Sequence, residues 1–208
     1  MDVSRPFRRR PLACLAPVLL AASLLAGAGP TGCSTTKGAA DTASRTAADV
    51  LLPPKEEEKL GQKFSRDIEK ELKLHGDEKV QAYIRELGNR VVKAAGDDVP
   101  DGIEFEFHVV DDPETVNAFA GPGGQIYFYS GLLKRADNTA EVAGVMAHEV
   151  AHVTERHVAR RLVASYGLDA LSSAALGETP GLVGKLAATI ATNGFLLKYS
   201  RDQERQAD

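Results

Sequence analysis

Residues 139–162, which read TAEVAGVMAHEVAHVTERHVARRL, decide the fold of this chain. Asp137, Asn138 or Thr139 offers an N-cap, and the pattern that follows predicts one helix from about Thr139 to Leu162. Small and apolar residues surround the middle of this helix on nearly every side, which is typical of a buried helix. The few polar side chains in that middle section therefore need partners inside the protein.

These polar side chains are His148, Glu149 and His152. A step of about 100° per residue places them at roughly 0°, 100° and 40° around the helix axis, within one narrow sector. Burial without partners would cost on the order of 2 kcal/mol or more for each group, and a bound cation removes that cost. The spacing is the HExxH pattern, in which two histidines bind zinc and the glutamate is the general base. We therefore expect one Zn²⁺ at His148 and His152, with Glu149 as the catalytic residue.

A zinc site of this kind needs a third protein ligand and an open position. Glu204 and Asp208, in the last segment of the chain, are four residues apart and lie on one face if that segment is helical. Glu204 would then bind the metal, and Asp208 would accept the remaining N–H of a ligand histidine and fix its tautomer. A charged helix end in solvent is the alternative, and the residues alone leave both open.

Two helices and a small sheet are predicted before the motif helix. Residues 53–74 and 77–95 have helical periodicity, and residues 103–109 alternate between apolar and polar side chains as a strand does. Residues 116–120 and 125–130 are predicted to form a hairpin around the turn Gly121-Pro122-Gly123-Gly124. The residues expected to face the core are Leu60, Phe64, Ile68 and Leu72 in the first helix, and Val80, Tyr83, Ile84, Leu87, Val91 and Val92 in the second. The fold class is therefore α+β and mainly helical, with a small β-sheet or hairpin packed beside the HExxH helix.

The strand at residues 125–130 is a candidate substrate strand. As an exposed edge, Gln125, Ile126 and Tyr127 would pair with the main chain of an extended peptide, although a strand inside the sheet is the alternative. His108 lies on the polar side of its strand, which favours a solvated histidine over a ligand. Residues 164–197 are rich in alanine and leucine and broken by glycines, so they are predicted to form short helices or a lid.

Residues 1–32 are predicted to be an export signal. Arginines 5, 8, 9 and 10 precede an apolar stretch at 12–25, which is too short to span a bilayer comfortably, so a transmembrane anchor is the less favoured alternative. Cys33 follows Pro30-Thr31-Gly32 and resembles a lipobox cysteine, which predicts lipidation of Cys33 and a flexible tether at 33–52. The rival cleavage site, Ala26-Gly27-Ala28, would release a soluble protein.

The charge and the cysteines bear on location and partners. The formal net charge of −4 becomes more negative when the arginine-rich signal is removed, which argues against a nucleic-acid partner. Cys14 lies inside the signal, so no intrachain disulfide survives processing. We expect a periplasmic protein, lipid-anchored to the outer membrane or, alternatively, soluble. The sequence carries no signal of oligomeric state.

Three segments resemble one family. They are AHEVAHVTERH at 147–157, Ser200-Arg201 followed by ERQAD at 204–208, and NAFAGPGGQIY at 117–127. Together they resemble the HtpX and prenyl-protease family of zinc peptidases and, within it, the periplasmic BepA and LoiP group, over about residues 55–208.

The resemblance implies a zincin-like metallopeptidase domain at residues 53–208. It assigns zinc binding to His148, His152 and Glu204, catalysis to Glu149 and a supporting role to Asp208. His157 belongs to the motif, but on a continuous helix it lies about 140° from His152, so we expect a structural role. The family continues beyond this segment, so the domain is expected to be truncated at its C-terminus.

The expected function is that of a zinc-dependent endopeptidase. It would hydrolyse unfolded or misfolded envelope proteins, and a lipid would attach it to the membrane. The alternative is a zinc-stabilised periplasmic chaperone or assembly factor without significant proteolysis.

Overall fold

A computed structural model describes residue 50, residues 52–193 and residues 199–208. The predicted export signal, the lipidation site at Cys33 and most of the tether lie outside the described residues. The helices are α1 (Pro54–Glu71), α2 (Glu78–Ala95), α3 (Ser130–Arg135), α4 (Thr139–Thr154), α5 (His157–Tyr166), α6 (Leu168–Leu176), α7 (Pro180–Asn193) and α8 (Arg201–Ala207), and the strands are β1 (Glu106–Val110), β2 (Ala118–Ala120) and β3 (Gln125–Tyr129). This combination of helices and one small sheet confirms the predicted α+β class.

The first two helices form as predicted, with one exception on the buried face. In α1, Leu60, Phe64 and Ile68 recur every fourth residue and are fully buried, so one side of the helix faces the core. In α2, Ile84 is fully buried in the same way. Tyr83 was expected to face inward, but it is 46% exposed, and its hydroxyl forms an exposed hydrogen bond with Oγ1 of Thr139 at 2.8 Å.

The sheet has the order β1-β3-β2, with β1 parallel and β2 antiparallel to β3. Phe119 of β2 pairs with Tyr127 of β3, which confirms the predicted hairpin. On the other side of β3, Phe107 of β1 pairs with Ile126. The prediction that β3 is an exposed edge is therefore wrong, because both of its sides are hydrogen-bonded to neighbouring strands.

The motif helix ends earlier than predicted. Thr154 is the last residue of α4, and α5 begins at His157, so residues 139–162 form two helices instead of one. Arg156 lies between them in the left-handed region, at φ 58° and ψ 23°. Its buried guanidinium forms an ion pair with Glu57 of α1 and donates to the carbonyl oxygen of Leu52 at 2.6 Å. These distant contacts hold a backbone conformation that neither glycine nor proline marks in the sequence.

Residues 164–197 were predicted to form either short helices or a lid. The described part of this segment forms short helices. Helix α7 packs along α1 and buries its apolar side there. Lys63 of α1 donates to the carbonyl oxygens of Ala174 and Ala175 at 2.8 and 2.6 Å and so caps the end of α6. These contacts make α6 and α7 part of the core. None of the described helices combines the length and the apolar composition that a bilayer-spanning segment needs.

Candidate metal centre

The N-cap and the apolar side of α4 position the motif. Oδ1 of Asn138 accepts hydrogen bonds from the main-chain N–H groups of Ala140 and Glu141, at 2.9 and 3.2 Å, and starts the helix at the predicted point. Met146 and Val150 are buried against the core. With that side of the helix occupied, the motif side chains lie on the side that faces β2 and α8.

His148, His152 and Glu204 form a cluster that could hold a metal ion. Nε2 of His148 lies 3.1 Å from Nε2 of His152, and Oε2 of Glu204 lies 3.3 and 3.9 Å from these two atoms. One potential ligand atom of each residue falls within 4.8 Å of the others. The structure thus brings together the three residues that the sequence singled out as ligands.

Helix α8 carries Glu204 to this position. Oγ of Ser200 accepts from the main-chain N–H of Gln203, and Oε1 of Gln203 accepts from the main-chain N–H of Ser200, so a reciprocal capping box opens the helix. Glu204 follows within the first turn. The box fixes where the helix begins and therefore which side chains face α4.

The protonation states of the two histidines suit metal binding. Oδ1 of Asp208 lies 3.0 Å from Nδ1 of His148, so the carboxylate accepts a hydrogen bond from Nδ1–H and favours the tautomer whose Nε2 can bind a metal. His152 is 1% exposed, and burial, together with the neighbouring His157 and His148, lowers its pKa to about 3. Its ring is therefore neutral, as a metal ligand must be. Two imidazoles and a carboxylate around one point match the donor set of a zinc site with an open position.

Glu149 is a buried carboxyl group beside the cluster. It is 9% exposed, and desolvation raises its pKa to about 7, an effect that His148 partly offsets. The main-chain N–H of Ala120 in β2 donates a hydrogen bond to its carboxylate. A carboxylate with a pKa near 7 can both accept and release a proton at physiological pH.

Two rings beside His152 differ from the sequence predictions: Tyr199 was not predicted to lie there, and His157 was predicted to point away. The ring of Tyr199 stacks on His152 with 3.9 Å between centroids, and its position five residues before Glu204 was the available signal. Burial raises the pKa of its phenol, which stays protonated. The orientation predicted for His157 is wrong: the break at Arg156 turns α5 so that Nδ1 of His157 lies 2.9 Å from Nδ1 of His152. His157 is not among the clustered ligands.

The predicted substrate strand does not border solvent. Gln125, Ile126 and Tyr127 are 2%, 0% and 0% exposed, because β3 is the central strand. Gln125 instead hydrogen-bonds Nε2 of His108 at 3.0 Å. His108 is thus a half-buried sheet residue and not the solvated histidine that was expected.

The edge of the sheet near α4 is β2. The carbonyl oxygen of Asn117 accepts from Tyr129 at 3.0 Å, and the N–H of Gly121 donates to Gln125 at 2.6 Å, so these positions face β3. In an antiparallel pair the residues between them direct their main-chain groups to the opposite side. Ala118 and Ala120 therefore present N–H and C=O groups at the outer edge, and Ala120 already contacts Glu149 there.

The sequence matches known proteins over the same region. The profile of Peptidase family M48 matches residues 78–208, more than half of the chain. The beta-barrel assembly-enhancing protease of Escherichia coli (strain K12) is 31% identical over 173 residues, which cover 78% of this chain and 34% of that protein. The mitochondrial metalloendopeptidase OMA1 of Schizosaccharomyces pombe is 31% identical over 126 residues, which cover 61% of this chain and 36% of that protein.

A shorter relative shows the same similarity. The metalloprotease YcaL of Escherichia coli (strain K12) is 32% identical over 124 residues, which cover 57% of this chain and 47% of that protein. The chain spans about a third of the length of the beta-barrel assembly-enhancing proteases that it matches. The family match includes the three clustered ligands, Glu149 and Asp208. This chain belongs to peptidase family M48.

Proposed function

We propose that this chain is a zinc-dependent endopeptidase that hydrolyses unfolded or misfolded proteins of the cell envelope. The observation that carries the proposal is the convergence of His148, His152 and Glu204 beside the buried carboxylate of Glu149. Relatives named protease, metalloendopeptidase and metalloprotease support the reaction class. The relatives named for β-barrel assembly favour envelope proteins as substrates.

Each side chain of the site has its own proposed role in catalysis. His148, His152 and Glu204 would hold Zn²⁺, which supplies Lewis acidity toward a carbonyl group and a water molecule. Glu149 accepts a proton from the attacking water at its carboxylate and delivers it to the leaving amine. The N–H of Ala120 holds the Glu149 carboxylate in place, and Asp208 orients His148 through Nδ1.

The outer edge of β2 is the proposed substrate strand in place of β3. An extended peptide that pairs with the main-chain groups of Ala118 and the C=O of Ala120 would lie beside Glu149, since the Ala120 N–H contacts that carboxylate. Main-chain pairing does not depend on the side chains of the substrate, which favours unfolded segments over one particular sequence. The proposed location is the periplasm, with a lipid at Cys33.

Substitution of the proton acceptor tests the function directly. Glu149→Gln is expected to retain stoichiometric zinc, measured by elemental analysis, and to lose at least about a hundredfold in cleavage of casein because the proton acceptor is gone. Glu141→Gln, near the start of the same helix and exposed, is the matched control and should cleave normally. Equal cleavage by Glu149→Gln would refute the proposal.

A second candidate function rests on the same edge. An unfolded chain bound at β2 without cleavage would make the protein an assembly factor, in keeping with the names of the β-barrel assembly relatives. In that case aggregation of an unfolded β-barrel protein is suppressed equally well by the Glu149→Gln variant. Suppression that disappears with proteolysis favours the peptidase instead.

A further inference from the structure

A line of hydrogen bonds runs from His152 through His157 to Gln206 of helix α8. It leaves His152 on the side that faces away from the ligand cluster. Nδ1 of His152 lies 2.9 Å from Nδ1 of His157, and Nε2 of His157 lies 2.8 Å from Oε1 of Gln206. His152 and His157 are 1% and 0% exposed, so this line runs through the protein interior. The catalytic step proposed above does not use it.

The amide oxygen of Gln206, at the outer end of this line, determines which atom donates in each hydrogen bond. An amide oxygen only accepts hydrogen bonds, so His157 donates to Gln206 from Nε2. His157 is fully buried, which favours its neutral ring, and a neutral imidazole carries one N–H. Nδ1 of His157 is then an acceptor, and His152 donates to it from Nδ1. The free electron pair of His152 then lies on Nε2, the atom that faces Glu204.

The opposite tautomer has its own partner close by. Nε2 of His152 lies 3.1 Å from Nε2 of His148 and could donate a proton there. That arrangement would occupy the nitrogen that a metal needs. The two tautomers of His152 therefore compete, and the line to Gln206 favours the one that can bind metal.

We infer that His157 and Gln206 are positioning residues that set the tautomer of His152 before a metal binds. Asp208 does the same for His148 at Nδ1. Glu204, Gln206 and Asp208 all belong to the segment of α8 and its cap, so one short helix supplies the third ligand and orients the other two. The inference rests on the proposed metal site for its consequence, but the tautomers exist without the metal.

The tautomers can be read in the metal-free, full-length chain by long-range ¹H–¹⁵N NMR of the imidazoles. In the wild type we expect a proton on Nδ1 of His152 and on Nε2 of His157. In His157→Leu we expect His152 to shift toward the Nε2–H form. A wild-type His152 protonated on Nε2, or no change of His152 in His157→Leu, would overturn the inference.

Zinc affinity gives a second readout, by competition with a chromophoric chelator. His157→Leu is expected to weaken zinc binding by about 10- to 100-fold, the usual effect of losing a group that orients a ligand. His157→Asn, whose amide oxygen can replace Nδ1 as acceptor, should recover most of that loss. A purely structural role for His157 predicts no such recovery in affinity or in the tautomer of His152.

Gln206 is tested by a pair of variants. Gln206→Met removes the acceptor and should weaken zinc binding, whereas Gln206→Glu keeps an acceptor and should retain the wild-type affinity. Arg205→Met is the charge control for Gln206→Glu, because Arg205 is exposed and the net charge changes equally. Equal affinities of Gln206→Met and the wild type would count against the inference. Because Gln206 is only half-buried, this pair decides the matter if His157→Leu does not fold.

Failure of the metal function and failure of the positioning role give different results. A wild-type chain that binds no zinc refutes the proposed function, while its imidazole spectra still decide the tautomers. A chain that binds zinc equally well with and without His157 refutes the positioning role and leaves the peptidase proposal standing.

Discussion

Glu149 is buried where its charged form is poorly solvated. Desolvation raises its pKa from an ordinary value of 4.5 to about 7, and the N–H of Ala120 and the ring of His148 offset this in part. A carboxyl group whose pKa is raised on folding stabilises the protein in its protonated form, below its unfolded pKa. That contribution is lost as the pH rises through about 7. Above that pH the metal-free chain buries a negative charge that these two neighbours compensate only in part.

At the residue scale, Glu149→Gln should therefore stabilise the metal-free chain at high pH. The gain in the free energy of unfolding is expected to be near zero at pH 4.5 and to reach on the order of 1 to 3 kcal/mol above pH 7. Urea unfolding in EDTA across this range measures it. His152, whose pKa is lowered by burial, titrates in both proteins, so its effect cancels in the difference. A gain that does not depend on pH would show that Glu149 is not the buried titrating group.

Glu57 of α1 contacts both the break after α4 and the turn before β3. Its Oε2 pairs with Arg156 in the break between α4 and α5, and its Oε1 accepts from the N–H of Gly123 at 3.2 Å, in the turn before β3. Glu57 and Arg156 are both almost fully buried. Removing one partner of a buried ion pair leaves the other charge uncompensated. The left-handed conformation of Arg156, and with it the placement of α5, depends on this pair.

At the element scale, Glu57→Gln is expected to lower the free energy of unfolding by about 3 to 5 kcal/mol. Urea unfolding at neutral pH gives the value. The matched control is Glu58→Gln, on the more exposed side of the same helix, which should change stability by no more than about 0.5 kcal/mol. Equal effects of the two substitutions would contradict the structural role assigned to Glu57.

The outer edge of β2 can be tested by a proline substitution at Ala118. Ala118→Pro removes an N–H that faces outward from β2 without removing a hydrogen bond to β3, which edge strands tolerate. We expect KM for an unfolded substrate to rise several-fold while zinc content and thermal stability stay near the wild-type values. An unchanged KM would mean that substrates do not pair with this edge.

The candidate ligands come from two segments that are far apart in the chain. His148 and His152 lie in α4, whereas Glu204 lies in α8, which packs against α4 and is hydrogen-bonded to α5 through Gln206 and His157. A metal ion would add a direct link between the two helices. Because the ligands converge only in the folded state, metal binding stabilises that state by mass action.

At the scale of the whole molecule, zinc at about 100 times its Kd should add about 2.7 kcal/mol to the free energy of unfolding. The thermal midpoint should rise, and amide exchange in residues 200–208 should slow. In Glu204→Gln both effects should be much weaker, since the third ligand is lost. Zinc-induced protection that is equal in this variant would place the metal elsewhere.

Local patterns predicted much of this protein. The helical spacing of His148, Glu149 and His152 and the hairpin turn were visible in the sequence, because each depends on residues close to one another in the chain. The identity of the residues was therefore enough to place these groups on their helices and strands. The residues alone left Glu204 open between a metal ligand and a solvated helix end, and only the resemblance to the family favoured the ligand. The contact of Asp208 with His148 agrees with the position of Asp208 four residues after Glu204, on the same face of the helix.

Only the tertiary structure decided the remaining features. The strand order, which makes β3 the central strand and β2 an edge strand, depends on whether β1 pairs with β3, and no local pattern encodes that choice. The helix break at Arg156 depends on a buried partner in α1, and the break in turn brings His157 against His152. The pKa of Glu149 depends on desolvation by elements that are distant in the chain. The sequence thus determined which groups carry the chemistry, while long-range packing determined their orientation, because contacts between distant segments form only when the whole domain folds.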